Sequence, residues 1–320
     1  MKWSYSVHTA MRRCQRLLVF AHVMASHNAR DPLRREAYVL KQLQHLSAWQ
    51  GSLVHKVLAT TFLDDLRATR PVNAPALAAA AQEVAQRQLA FSAARRYREP
   101  GQTKRAAGDA YCALSEHELG WEITAEALRG VHATIMRCFE NLAAQTAFLA
   151  RLYAGSEHAA EYPLSFRLND ATVAATPDLV FLRADGQPTV VDWKVSESET
   201  NDYSRQVLIY ALAVARCGHW PRVSTEAIEL YEVNLLKNRI RQYAVTAERL
   251  DATEDFIYRS LMELKTLVGD GRFGDLDLDE FEVAERPATC SHCNFRLLCI
   301  RQLEDTGRAA EAHMVQGRLW

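Results

Sequence analysis

The segment PDLVFLRADGQPTVVDWKV, residues 177 to 195, constrains this chain more than any other. Two short runs rich in Val, Leu, Phe and Thr flank Asp185-Gly186, a dipeptide suited to a tight hairpin turn, so the runs read as paired antiparallel strands. Inside the second run stand two charges, Asp192 and Lys194, where burial favours valine. A strand sends residues i and i+2 to one face, so these charges share a face while Val191 and Trp193 take the other. Two readings stay open at this point: an exposed ion pair worth ~0 to 1 kcal/mol, or a site.

The surroundings define an architecture. From about residue 6 to 155 apolar residues recur at three and four spacings, as in DPLRREAYVLKQLQHLSAW, APALAAAAQEVAQRQLAFSAARRY and TAEALRGVHATIMRCFENLAAQTAFLARL. Asp31-Pro32 and Thr124 stand where helices start. At Glu161 the texture changes to three successive strands, EYPLSFRL, ATVAATPDLVFL and QPTVVDWKV. A helix follows in DYSRQVLIYALAVARCG, then strands in AIELYEVNLL and RIRQYAVT, then a long helix in TAERLDATEDFIYRSLMELKTLVGDG. Strands with a helix between them, flanked by helices, make an α/β domain. The expected organisation is a mainly helical lobe over 1–155, a sheet-bearing core over 156–250 and a C-terminal helix with a cysteine segment over 251–320, the three forming one globular unit. The acidic DLDLDEFEVAE before those cysteines reads as a solvated face.

Composition sets bounds on the partners. The chain has 320 residues, 48% of them hydrophobic, and a formal net charge of -1. No global field favours a polyanion or an anionic membrane, so any nucleic acid must be met by local patches. No apolar run approaches a membrane span and the first residues lack a secretory signal, which places the chain in the cytoplasm. The seven cysteines then read as metal ligands or buried thiols rather than disulfides.

Asp178 in TPDLVFL and Asp192 in VVDWK lie on adjacent strands, seven positions before and six after Asp185-Gly186, and so fall near one end of the hairpin. Two carboxylates with the Trp193 carbonyl between them are hard oxygen ligands of the kind Mg²⁺ or Mn²⁺ accepts. Such an ion acidifies a bound water and neutralises charge on a phosphate, and Lys194 beside it suits the orienting of that water.

These residues resemble the signature of the PD-(D/E)XK nuclease superfamily: Pro177-Asp178, a hairpin, then Asp192-Trp193-Lys194. Gln206 and Tyr210 match the Q-x-x-x-Y element of its RecB-like branch, and GSLVHKVL resembles the G-x-x-x-H helix of the same branch. The resemblance implies a restriction-endonuclease-like core with a central mixed sheet, His55 as a further metal ligand, and Gln206 and Tyr210 supporting Lys194. Gly51, one turn before His55, allows close approach of another backbone. Glu161, at the start of the first core strand, is a second-rank acid. The implied activity is metal-dependent hydrolysis of DNA, as an exonuclease on single strands or strand ends, with endonuclease action left open as the alternative mode.

Three cysteines close the chain in CSHCNFRLLC, and three thiolates with His292 between them fall short of a clean zinc site. The opening WSYSVHTAMRRCQRLLVF resembles that of the iron-sulfur members of the RecB-like branch, the AddB-type subunits and the CRISPR-associated RecB-type nucleases. That resemblance implies a 4Fe-4S cluster held by Cys14, Cys290, Cys293 and Cys299, with zinc as the alternative occupant. It also implies a helicase or CRISPR adaptation proteins as partners. Gln15 departs from the usual proline after the first cysteine, and Val195-Ser196 from the usual Thr-Gly after the lysine. Cys112, Cys138 and Cys217 read as buried or incidental thiols. Arg95, Arg96, Arg98, Lys104 and Arg105 around Tyr97, with Arg12, Arg13 and Arg16, are either a basic patch for phosphates or solvated helix ends. The rival functions are a non-catalytic DNA-binding or scaffolding protein of the same fold and a zinc protein using the C-terminal cysteines.

Overall fold

The computed structural model describes residues 1–198, 201–220, 223–269, 274 and 276–316. Among the described residues eight strands form two sheets: β1 (Lys2–Trp3), β2 (Ser156–Ala160), β3 (Leu164–Leu168), β4 (Ala171–Ala175), β5 (Leu179–Leu182), β6 (Pro188–Lys194), β7 (Glu229–Asn234) and β8 (Arg239–Tyr243). The five-stranded sheet runs β2-β5-β6-β7-β8, and the three-stranded one runs β1-β4-β3. Only β6 and β7 pair in parallel within the larger sheet, and the Ser204–Arg216 helix makes the crossover that a parallel pair requires.

Alternation along the central strands divides the core into two layers. Leu179, Phe181, Val191, Trp193, Tyr231 and Val233 pack against the helices Leu46–Val57, Ala74–Ala93, Ala125–Ala144 and Thr146–Ala154. Val180, Val190 and Leu230 face the opposite layer, where the Ser204–Arg216 helix lies against β3, β4, β6 and β7. This helix is buried nearly all round, with eight residues from Val207 to Val214 inside. The N-terminal segment and the C-terminal helices complete the same layer, which contains Trp3, Phe20, Phe295 and Leu303.

Local chemistry fixes the helix starts. Asp31 Oδ1 accepts from Leu33 N at 2.7 Å and Arg34 N at 3.2 Å, and Thr124 Oγ1 accepts from Ala127 N at 3.1 Å. The long helical patterns are interrupted, however. Residues 31–49 split between Pro32–Gln42 and Leu46–Val57, because Gln44 leaves the helix to bridge Leu114. The pattern after Thr124 breaks at Gln145. The long helix near the C-terminus spans Ala247–Val268, and the expected last residues Asp270 and Gly271, like Asp275 of the acidic stretch, lie outside the described residues.

Two strand expectations are corrected. ATVAATPDLVFL is two strands, not one: β4 ends at Ala175, and beyond Pro177 the chain enters the other sheet as β5. Proline offers no N–H to a ladder and restricts the residue before it, which suits a crossing between sheets. Residues 156–160 also form a strand, β2, so Glu161 follows a strand instead of opening one. The Asp185-Gly186 turn is as expected, with Gly186 at φ 75° and Asp185 Oδ1 accepting from Gln187 N at 3.0 Å.

Candidate active site and cysteine cavity

The β5–β6 register pairs Leu179 with Val191, and one step further sets Asp178 opposite Asp192. The two carboxylates therefore share the open end of the hairpin. Trp193 fills the helical layer, its ring edge-on to Phe62 and Phe148 at centroid distances of 6.3 and 6.1 Å. Asp192 and Lys194 thereby face the Ser204–Arg216 helix, which presents Gln206 and Tyr210 one turn apart.

A chain of contacts follows. Lys194 Nζ lies 2.6 Å from Asp192 Oδ2 and donates to Gln206 Oε1 at 3.1 Å, and Gln206 Nε2 contacts the Tyr210 hydroxyl at 2.7 Å. On the other side His55 Nδ1 lies 3.3 Å from Asp178 Oδ1, and Trp193 N donates to Asp178 Oδ2 at 2.7 Å. A strand residue points its N–H and C=O the same way, so the Trp193 carbonyl also faces the Asp178 side. All the leading residues expected from the sequence, His55, Asp178, Asp192, Trp193, Lys194, Gln206 and Tyr210, meet here.

Burial dominates the electrostatics. Asp192 has a side chain only 2% exposed, and its pKa is pushed up to about 6 by burial, with Lys194 opposing and Asp178 reinforcing the rise. Burial also works against a charge on His55, but Asp178 and Asp192 outweigh it and hold the imidazole pKa above its usual value. Burial raises the Tyr210 phenol, with both aspartates adding to the effect, so Tyr210 stays protonated and available as a hydrogen-bond partner.

Among the described residues no group of three or more His, Cys, Asp or Glu side chains stands ready-made to hold a metal ion. The carboxylates are turned to His55, Lys194 and the Trp193 N–H instead. The donor chemistry still fits a hard divalent cation, because two carboxylates share the hairpin end and the buried Asp192 Oδ2 is held by the Lys194 ammonium alone, at 2.6 Å, among the described residues.

Several expectations change. Glu161 is exposed at φ 47°, and its tie to the site is its backbone N–H, which donates to Asp178 O at 3.0 Å. A Cβ on Gly51 would meet Val195 Cβ at 3.8 Å, an ordinary contact, so close approach does not demand glycine there. The basic segment around Tyr97 is internally committed: Arg98 pairs with Glu36 and Glu118, Arg95 donates to the His117 and Glu118 carbonyls, and Arg96 pairs with Glu99. Sequence reasoning missed Tyr203, whose ring lies 4.4 Å from Lys194 Nζ, and Glu232 and Asn234 on β7. These last two pair in register with Asp192 and Lys194 and are buried. The signal was present: LYEVN repeats the polar-x-polar interruption of VVDWK.

Cys14, Cys290, Cys293 and Cys299 line one small cavity together with Arg16 and Phe20. Burial raises the Cys290 and Cys293 thiols and pushes Cys299 up to about 11 against the opposing charge of Arg16. Gln15, at the proline position, links the chain ends: its side-chain oxygen accepts from Glu282 N at 3.1 Å. Cys112 and Cys138 are buried, with thiols pushed up to about 12, and Cys217 is half-buried.

A mixed sheet flanked by helices, with paired aspartates and a lysine at one end of a hairpin, defines a restriction-endonuclease-like α/β fold. A model of the PD-(D/E)XK nuclease superfamily matches residues 2–300, and the chain belongs to that superfamily. Solved structures similar to it include a protein designated SSO0001, at 14% identity and TM-score 0.28, covering 57% of this chain and 77% of that one. Another, named only as a candidate exonuclease from Eubacterium rectale, has 13% identity and TM-score 0.35, covering 63% and 71%. Likeness at that level adds nothing to the family assignment. No curated protein matches. Among the described residues no helix is long and apolar enough to cross a membrane.

Proposed function

We propose that the chain is a metal-dependent DNA nuclease that hydrolyses phosphodiester bonds, acting as an exonuclease on single strands or strand ends. The observation that carries this reading is the meeting of Asp178, Asp192 and Lys194 at one hairpin end, with His55 on one side and Gln206 and Tyr210 on the other. His55, Asp178, Asp192 and the Trp193 carbonyl would hold Mg²⁺ or Mn²⁺, and that ion, when bound, supplies an acidified water and charge neutralisation at the phosphate. Lys194 orients the attacking water and faces the charge that develops on the phosphoryl oxygens. Gln206 anchors Lys194, and Tyr210 anchors Gln206. The regions 1–155, 156–250 and 251–320 act as one folded unit around this centre.

The four cysteines of the cavity hold a structural 4Fe-4S cluster that clips the chain ends together. The common cavity supports a shared occupant over separate thiols. A helicase or a CRISPR adaptation complex would supply the DNA ends.

The test is a nuclease assay on end-labelled single- and double-stranded DNA with Mg²⁺ or Mn²⁺, comparing wild type with Lys194→Ala and Asp192→Ala. Cleavage by wild type that both variants lose supports the assignment. Wild type that binds DNA but leaves it intact under both metals leads instead to the scaffolding reading. Stoichiometric zinc without sulfide, after anaerobic purification, would replace the cluster with a zinc site.

A further inference from the structure

Arg16 is an anomaly that the nuclease chemistry does not use. Its side chain is 1% exposed and is among the largest fully buried side chains of the protein. One guanidinium nitrogen, Nη1, donates to Leu278 O at 2.9 Å, while Nε and Nη2 are buried with no oxygen acceptor, and the group the guanidinium meets on the cavity side is the Cys299 thiol. The guanidinium carbon lies 5.8 Å from the centroid of the Phe20 ring, which occupies part of its surroundings without offering it an anion. A guanidinium cannot discharge by losing its proton, so its burial beside a neutral thiol and no anion costs several kcal/mol unless a negative group meets it.

The cavity beside Arg16 is where that negative group belongs. Cys14, Cys290, Cys293 and Cys299 line the same cavity as Arg16 and Phe20. Four cysteine thiolates around a 4Fe-4S core leave a net charge of -2, and hydrogen bonds to cluster and ligand sulfurs are a recognised lever on such centres. The fork of Arg16 is suited to two sulfur acceptors at once, which a lysine ammonium on a flexible stem is not.

Resting on the cluster reading above, we propose that Arg16 is a positioning residue for the iron-sulfur centre: its Nε and Nη2 donate to cluster or cysteine sulfurs and balance their charge inside the protein. Removing it makes one-electron reduction, which takes the assembly from -2 to -3, harder, and exposes the centre to loss in air. The occupied state is then the one in which the guanidinium is satisfied.

The experiment compares wild type, Arg16→Lys and Arg16→Met, purified anaerobically as full chains. The measurements are iron and sulfide content, the dithionite-titrated midpoint potential, the lifetime of visible absorbance in air, and thermal unfolding with and without the cluster. The expected result is a more negative midpoint and a several-fold shorter lifetime in Arg16→Met, with Arg16→Lys between the two. Unfolding carries a sign that a merely packing role does not produce: Arg16→Met is more stable than wild type when both lack the cluster, and less stable when both contain it. Full iron and sulfide with unchanged potential and lifetime in Arg16→Met overturns the role of Arg16 and leaves the cluster reading standing. Wild type without iron or sulfide overturns both. If Arg16→Met does not fold, Arg16→Lys decides: a wild-type potential and lifetime there refute the bidentate role.

Discussion

Replacing Asp192 by Asn removes a charge that the metal-free fold holds at a cost. The carboxyl titrates near 3.8 in the unfolded chain and at about 6 in the folded one, with burial the largest cause. That rise corresponds to about 3 kcal/mol of destabilisation by the ionised form. The folded pKa is the higher, so the protonated form is the one that folding favours. Below 3.8 both states carry the proton and the penalty is absent; it builds as pH climbs through about 6 and is complete at pH 7.5. Asn is close to the neutral carboxyl in shape, so Asp192→Asn is more stable than wild type by up to about 3 kcal/mol at pH 7.5 without divalent metal. For a chain of this length that is a rise of about 4 °C in Tm. The assay is thermal and urea unfolding in EDTA between pH 4 and 8, repeated in Mg²⁺ or Mn²⁺. The gap opens with pH in EDTA and closes when metal stabilises wild type alone, by about 2.7 kcal/mol at a hundredfold excess over Kd. Wild type equal to or more stable than Asp192→Asn at pH 7.5 in EDTA refutes the reasoning, since Asp192 would then be no destabilised carboxylate waiting for a cation.

Gln206→Ala removes the acceptor that holds Lys194 and lowers the cleavage rate by about 10 to 100-fold, with DNA affinity unchanged in a filter-binding measurement. Arg98→Ala breaks pairs to Glu36 and Glu118 and costs about 2 kcal/mol in urea unfolding, yet leaves DNA binding within about twofold, because this arginine is structural. Gly155→Ala places a Cβ 2.3 Å from Phe181 Cδ2 and 3.2 Å from Leu182 O and destabilises by about 1 to 3 kcal/mol, whereas Gly51→Ala has room and gains about 0.5 to 1 kcal/mol of helix propensity. The pKa of His55 is raised in the fold, so its pairing contributes fully below pH 6.5 and fades as pH rises; His55→Ala therefore destabilises more at pH 6 than at pH 8.5 in metal-free unfolding.

The hairpin was legible because its information is local. Asp185-Gly186 sets the turn, the turn sets the register, and the register places Asp178 across from Asp192. Gln206 and Tyr210 were assigned through resemblance to the Q-x-x-x-Y element, and their spacing of one helical turn then sets both on one helix face. His55 could be assigned only by resemblance, since nothing local ties the Leu46–Val57 helix to the hairpin. What escaped depended on distant partners: β4 leaves β5 for another sheet and pairs with β1, and although Pro177 marks a break inside ATVAATPDLVFL, nothing local names the partner strand. The basic segment near Tyr97 was ambiguous because its counterions, Glu36 and Glu118, lie in other helices. Arg16 stood out only as one of several arginines, its burial being a property of the assembled ends.

The first twenty residues carry Trp3, Leu18 and Phe20, all fully buried in the finished protein. Their partners arrive late in synthesis: Trp3 donates to Ser260 and Arg16 to Leu278 O, at sequence separations of 257 and 262. At ribosomal rates of about 5 to 20 residues per second, that leaves these side chains without their final contacts for roughly 13 to 50 s. The nascent chain therefore carries residues 3–20 without their final contacts throughout translation of the β5–β6 hairpin, an apolar stretch of the kind a holding chaperone binds. Docking of that stretch onto Ser260 and Leu278 ends its exposure.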